Sequence, residues 1–184
     1  MQIILISGKS NTGKGTVAEI IEQILKLKNK HVIRCSLSTY IRNVAKEDYY
    51  WDGIDTLESR KFMAESYKIG TEFYSYHMAR RVWERDIKPF ANKDTIAIVE
   101  SFREKVNYDY FCSLLDEGLI DNITTIRVIR PDFNAIQDRD MENHVSESDV
   151  DDFEFDYVIK NSGTIDELYE KLEKLIGNMI EGGN

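Results

Sequence analysis

The sequence has only two cysteines, two prolines and ten glycines among 184 residues, and no excess of positive charge. Cys35 and Cys112 are two lone thiols without a disulfide framework, which suits a reducing interior. So little proline, without glycine periodicity, excludes collagen-like and low-complexity chains. No apolar run approaches the roughly 18 residues that a membrane helix needs. Met1–Ser7 (MQIILIS) is too short for a secretion signal and lacks its basic start. Lys and Arg number 24 against 33 Asp and Glu, a net charge of −9, which argues against binding a nucleic-acid polymer through bulk electrostatics. A small phosphorylated ligand needs only a local basic pocket and is not excluded. The absences together lead to the expectation of a cytoplasmic protein with no membrane partner.

What is present is enough to build a core. The chain is 42% hydrophobic and 11% aromatic, sufficient to offset the entropy of ordering, and its length suits one domain, residues 1–184. Gln2–Ser7 ends a short apolar run at a glycine, as a strand buried on both faces does. Val17, Ile20, Ile21, Ile24 and Leu27 then recur at helical spacing within Thr16–Asn29. Further strands are expected at His31–Ser36, Thr95–Glu100, Ile123–Arg130 and Phe155–Ile159. Helical stretches are expected over Thr56–Asp86, interrupted at Gly70, over Tyr108–Glu117 and from Ile165 to Ile180. Thr164 and Glu167 form a capping-box signature before the last of these. Strands alternating with helices imply right-handed crossovers and a mainly parallel five-stranded sheet in an α/β fold, with ligands at the strands' carboxyl ends. Pro131–Glu154 is the one long stretch without periodicity, and a loop of that length suggests a functional lid or insert.

Between the first strand and first helix lie Gly8, Lys9, Ser10, Asn11, Thr12, Gly13, Lys14, Gly15 and Thr16. The G-x-x-x-x-G-K core lets successive backbone amides curl round a phosphate chain, and the helix N-terminus adds partial positive charge. Lys14 is expected to bridge the β- and γ-phosphates of ATP. The bland reading is a glycine-rich turn opening an ordinary helix. Gly15 stands where most such loops carry the Ser or Thr that holds Mg²⁺, and Thr16 comes one place later.

The order G-K-G-T resembles adenylate kinase and its nucleoside monophosphate kinase relatives. Further segments narrow the resemblance to the phage-type deoxynucleoside monophosphate kinases. These are Ser36–Ala45, Ile69-Gly70-Thr71-Glu72, Val128-Ile129-Arg130-Pro131, Asn143-His144-Val145-Ser146-Glu147 and the run Phe155–Thr164. The resemblance implies a three-layer P-loop kinase fold with a lid at about 131–154. It implies ATP-dependent phosphorylation of (deoxy)nucleoside 5′-monophosphates to diphosphates, with ATP and Mg²⁺, in the host cytoplasm if the chain is phage-encoded. Nucleotide substrates are then the expected partners, and a homodimer is compatible with the sequence. Three positions depart from the family pattern: Ser101 replaces an aspartate, Asn107 a glutamate and Ser75 an arginine.

Phosphoryl transfer needs two phosphates brought in line and charge neutralised, so converging arginines and lysines matter more than a nucleophile. Lys14, Arg103, Arg130 and Arg139 are the catalytic candidates, although Arg139 also reads as part of a solvated charge cluster. Ser38, Arg42, Glu72 and Arg80 are the acceptor-site candidates, and a surface helix arginine is the bland reading of Arg42. Glu100 and Thr16 are the metal candidates, with Glu100 otherwise a capping carboxylate. Asn161 is a candidate for the adenine side of the ATP site, or simply part of a turn. His144 reads as a loop-ordering hydrogen-bond partner or an acid–base group, and Glu147–Asp156 as a solvated acidic face. Tyr49, Tyr50, Trp51, Tyr67, Tyr74 and Tyr76 read as core or as base-stacking residues. Two rival functions stay open: a P-loop kinase of another small acceptor, and a nucleotide-binding regulator without turnover.

Overall fold

In the computed structural model, residues 1–9, 11–131 and 153–181 are described. Arg139, His144, most of the lid at 131–154 and Ser10 of the glycine-rich loop lie outside the described residues. The strands are β1 (Gln2–Ser7), β2 (His31–Ser36), β3 (Thr95–Phe102), β4 (Asn122–Ile129) and β5 (Tyr157–Lys160). The helices are α1 (Lys14–Leu27), α2 (Thr39–Asp48), α3 (Leu57–Phe73), α4 (His77–Arg81), α5 (Lys105–Asp116) and α6 (Ile165–Glu181), with a π-helical turn at Val82–Ile87 after α4.

All neighbouring strands are parallel, in the order β2-β3-β1-β4-β5. β1 is central, and its alternation explains the layers. Ile3 and Leu5 enter one core with Leu37, Met78, Trp83, Phe102 and Phe111, from α4, α5 and neighbouring segments. Ile4 and Ile6 enter the other with Val17, Ile21, Leu172 and Ile176, from α1 and α6. All four β1 residues are at most 1% exposed, each such burial contributing roughly 1.5–3 kcal/mol. A strand covered on both faces can send its chain out only at its ends, so the glycine-rich loop emerges at the sheet's carboxyl edge.

Several boundaries differ from the sequence expectation, each for a local reason. α1 begins at Lys14 rather than Thr16, because Gly13 takes the left-handed conformation (φ 90°) at its N-cap. β3 runs on past Glu100 to Phe102 through an irregularity opposite Ile6 and Ser7, with Ser101 at φ 65°. α5 starts at Lys105, three residues before Tyr108. The stretch Thr56–Asp86 divides into α3, α4 and the π turn: Tyr74 is extended, and its amide donates to Gly70 at 2.9 Å. Gly70 itself stays helical and seats the His77 ring, which a Cβ there would strike. Thr164 and Glu167 do form the expected reciprocal cap, with bonds of 3.0 and 3.3 Å. Among the described residues, no helix is long and apolar enough to cross a membrane.

His77 carries a testable consequence. Its Nδ1 bonds the Tyr74 carbonyl at 3.1 Å, which leaves Nε2 packed over Gly70. Burial holds the imidazole below its ordinary value of 6.5, the Tyr74 bond acting against the shift. The unfolded chain therefore takes up this proton first, and stability falls as pH drops through about 6.5, until the folded imidazole is itself protonated. Urea unfolding of wild type and His77→Gln on both sides of that value should show a smaller acid loss in the variant.

Candidate active site

The glycine-rich loop closes on itself through its carbonyl oxygens. Lys14 Nζ donates to the carbonyls of Gly8 and Lys9, both at 2.6 Å. Thr12 Oγ1 donates to the Lys9 carbonyl at 2.8 Å. Asn161 Nδ2 donates to the Thr12 carbonyl at 2.8 Å, and the Val17 amide to the Gly13 carbonyl at 3.0 Å. With these carbonyls engaged, the loop offers its amide edge and the start of α1, an arrangement suited to an anion. Gly8 (φ 148°) lies under the Val128 carbonyl, and Gly13 lies against Asn161 Nδ2, so a side chain fits at neither position. Asn11 is also left-handed (φ 59°), a conformation asparagine tolerates.

Glu100, near the end of β3, faces this loop. Its carboxylate accepts from Arg34 Nε at 2.7 Å, and Arg34 Nη2 reaches the Gly15 carbonyl at 3.1 Å. Burial opposes the Arg34 charge, but Glu100 and Glu22 outweigh it and hold the guanidinium above its usual value. Thr16 stands exposed on the first turn of α1, and Lys9 and Asn11 are exposed on the loop. One carboxylate beside a phosphate loop suits Mg²⁺, which binds through one or two carboxylates and substrate phosphates and keeps several waters. Among the described residues, no group of three or more His, Cys, Asp and Glu could hold a metal unaided.

On the β2–β3 side of the carboxyl edge, three hydroxyls meet. Ser36 Oγ lies 3.0 Å from Ser38 Oγ and 3.1 Å from Ser101 Oγ. The left-handed bulge turns Ser101 toward this group, which sequence reasoning could not foresee because serine gives no sign of positive φ. Ser38 is also the residue from which α2 starts. Arg42, one turn on, places its guanidinium 5.9 Å from the Trp51 ring centroid, and Lys46 lies at the same distance.

α3 buries no residue completely. It touches the body through Phe62, Met63 and Tyr67, which are only partly buried. Tyr67 Oη donates to Glu104 at 3.0 Å and accepts from Asn107 Nδ2 at 2.7 Å, tying α3 to the start of α5. Burial, and then the Glu104 carboxylate, push the Tyr67 hydroxyl up, so it remains a protonated donor. Asn107, at the position where the resembling family has glutamate, is buried with its Oδ1 unpartnered.

The remaining candidates spread more widely. Arg103 follows β3 half-buried, and Arg130 follows β4 exposed, both at the carboxyl edge. Glu72 is exposed near the end of α3. Arg80 donates to Tyr74 Oη at 2.9 Å, in an exposed cluster with Tyr76. Burial pushes the Cys35 thiol up to about 12, which favours the protonated thiol. Arg34 was missed in sequence; the signal was a charge in the middle of an otherwise apolar strand.

Among the solved structures that resemble this fold are two kinases. The first is the APS kinase CysC of Mycobacterium tuberculosis in complex with AMPPNP and APS, 14% identical, covering 96% of this chain and 97% of that one, with a TM-score of 0.52. The second is the thymidylate kinase of Ehrlichia chaffeensis, 18% identical, covering 96% and 98%, with a TM-score of 0.50. No family model matches the chain, and no curated protein matches its sequence. The likeness establishes a P-loop kinase-like fold.

Asn161→Ala removes the bond that joins the loop to the exit of β5. Its expected cost is about 1 kcal/mol in chemical denaturation, with cooperativity retained; a loss within error would show that the bond contributes nothing.

Proposed function

We propose that this chain is a P-loop kinase transferring the γ-phosphoryl group of ATP to a (deoxy)nucleoside 5′-monophosphate, with Mg²⁺. The observation that supports it best is the loop after β1, whose carbonyls are engaged by Lys14, Thr12 and Asn161 at the carboxyl edge of a parallel sheet. In this reading Gly8, Lys9, Ser10, Asn11, Thr12, Gly13, Lys14, Gly15 and Thr16 cradle the triphosphate. Lys14 exchanges its two carbonyl partners for β- and γ-phosphate oxygens. Asn161 borders the adenine side.

An acceptor phosphate oxygen attacks the γ-phosphorus, the bond to the β–γ bridging oxygen breaks, and ADP leaves. Arg103, Arg130 and Arg139 neutralise charge on the moving group. Ser38 and Arg42 hold the acceptor phosphate, while Glu72 and Arg80 take its sugar and base side. Glu100 and Thr16 would hold hydrated Mg²⁺, which when bound offsets the charge on the β- and γ-phosphates. In this reading α2 and α3 border the acceptor side. The nucleotide acceptor rests on the resemblance to the phage-type kinases, carried chiefly by the phosphate loop, Asn143–Glu147 and Phe155–Thr164.

Titration calorimetry with Mg²⁺ and a non-hydrolysable ATP analogue tests the phosphate loop: heat and a raised melting temperature are expected, and their absence refutes the proposal. ADP release with dTMP, dGMP and dCMP against a panel of hydroxylated small acceptors then tests the acceptor class. Turnover confined to the hydroxylated panel would replace the nucleotide with another acceptor, and ATP binding without any turnover would point to a regulator. Lys14→Ala should lower transfer by roughly 10²–10³-fold while unfolding stays cooperative, and unchanged turnover would refute the role of Lys14.

A further inference from the structure

β2 is an edge strand, and Arg34 lies on the same face as Val32, toward α1. Its guanidinium reaches three partners on two elements, β3 and α1, at once. Nε donates to Glu100 Oε1 on β3 at 2.7 Å, Nη2 donates to the Gly15 carbonyl at 3.1 Å, and Nη1 lies 3.5 Å from Glu22 Oε2 on α1. Only a planar fork with several fixed donors engages three such partners from one side chain.

Glu100 is thereby held in one direction. Its side chain is only 15% exposed, and the Arg34 bond occupies Oε1. The other oxygen, Oε2, looks toward the first turn of α1: a Cβ on Gly15 would stand 3.6 Å from it and 3.9 Å from Arg34 Nη2. Position 15 is where most phosphate loops carry a Ser or Thr hydroxyl, and here it carries no side chain. The space that glycine leaves is faced by a carboxylate oxygen.

We infer that Arg34 is a positioning residue. It aims Glu100 Oε2 into the gap over Gly15, so that the carboxylate does the metal-orienting work that a hydroxyl at position 15 does in other loops. This role rests on the kinase reading above. Glutamate has one more rotatable bond than aspartate, and without Arg34 its carboxylate would sample several directions. Partners outside the metal's own shell typically change metal affinity by about 10–100-fold.

The test follows the melting shift produced by a non-hydrolysable ATP analogue at graded Mg²⁺, on the full chain. Arg34→Gln should raise the Mg²⁺ concentration for half the shift about tenfold, with analogue binding in chelator little changed. Glu100→Gln should move the midpoint likewise, and Arg34→Lys should recover part of the loss. Glu22→Gln breaks the other ion pair of Arg34 and should leave the midpoint in place, which separates aiming of Glu100 from general loosening. An unmoved midpoint in Arg34→Gln overturns the positioning role while the kinase reading stands. Should that variant not fold, an unmoved midpoint in Glu100→Gln overturns it equally. A wild-type chain with no analogue-induced shift at any Mg²⁺ concentration fails the kinase reading itself, and this role with it.

Discussion

The site depends on how a tight loop disposes of its own carbonyl oxygens. A loop leaving a doubly covered strand must find partners for its polar backbone or lose the free energy of burying them. Here Lys14, Thr12 and Asn161 supply donors for the carbonyls of Gly8, Lys9 and Thr12. The start of α1 is thereby left to face an anion. Lys14 Nζ is fixed by two of these carbonyls, so the fold itself holds a positive charge at the loop.

The placement of β1 makes this useful. Because β3 and β4 flank it in parallel, the ends of three strands and the start of α1 converge on one edge. Glu100, Arg103, Ser101 and Arg130 arrive there through chain geometry alone. The α2–α3 arm adds to the same side: α2 buries Ile41 in the core, while α3 is held by partly buried Phe62 and Met63 and by the Tyr67, Glu104 and Asn107 hydrogen bonds. An arm secured this way can line a cleft without filling it.

Much of this was legible in the residues. The buried strand, the glycine-rich loop and the capping box at Thr164 each rest on local rules of periodicity and turn chemistry, and the five parallel strands follow from alternation. What could not be read depends on contacts between distant segments. The break after Phe73 exists because Gly70 accommodates His77. The bulge at Ser101 is a left-handed serine, a state no propensity favours. Arg34 matters only once β2 lies beside β3 and α1, a neighbourhood that spacing along the chain does not reveal. Asn107 likewise gains its role, an anchor for Tyr67 Oη, only when α3 meets the start of α5.

The bond from Asn161 to Thr12 has a thermodynamic corollary. β5 is four residues long, lies at the sheet's edge and pairs only with β4, so peeling it away is among the cheaper local openings of such a fold. Asn161 immediately follows it and grips the loop 149 positions away in sequence. Fraying of that margin and loosening of the cradle are therefore one coupled equilibrium: whatever occupies the cradle protects the sheet's rim, and whatever frays the rim weakens the grip on the occupant by the same free energy.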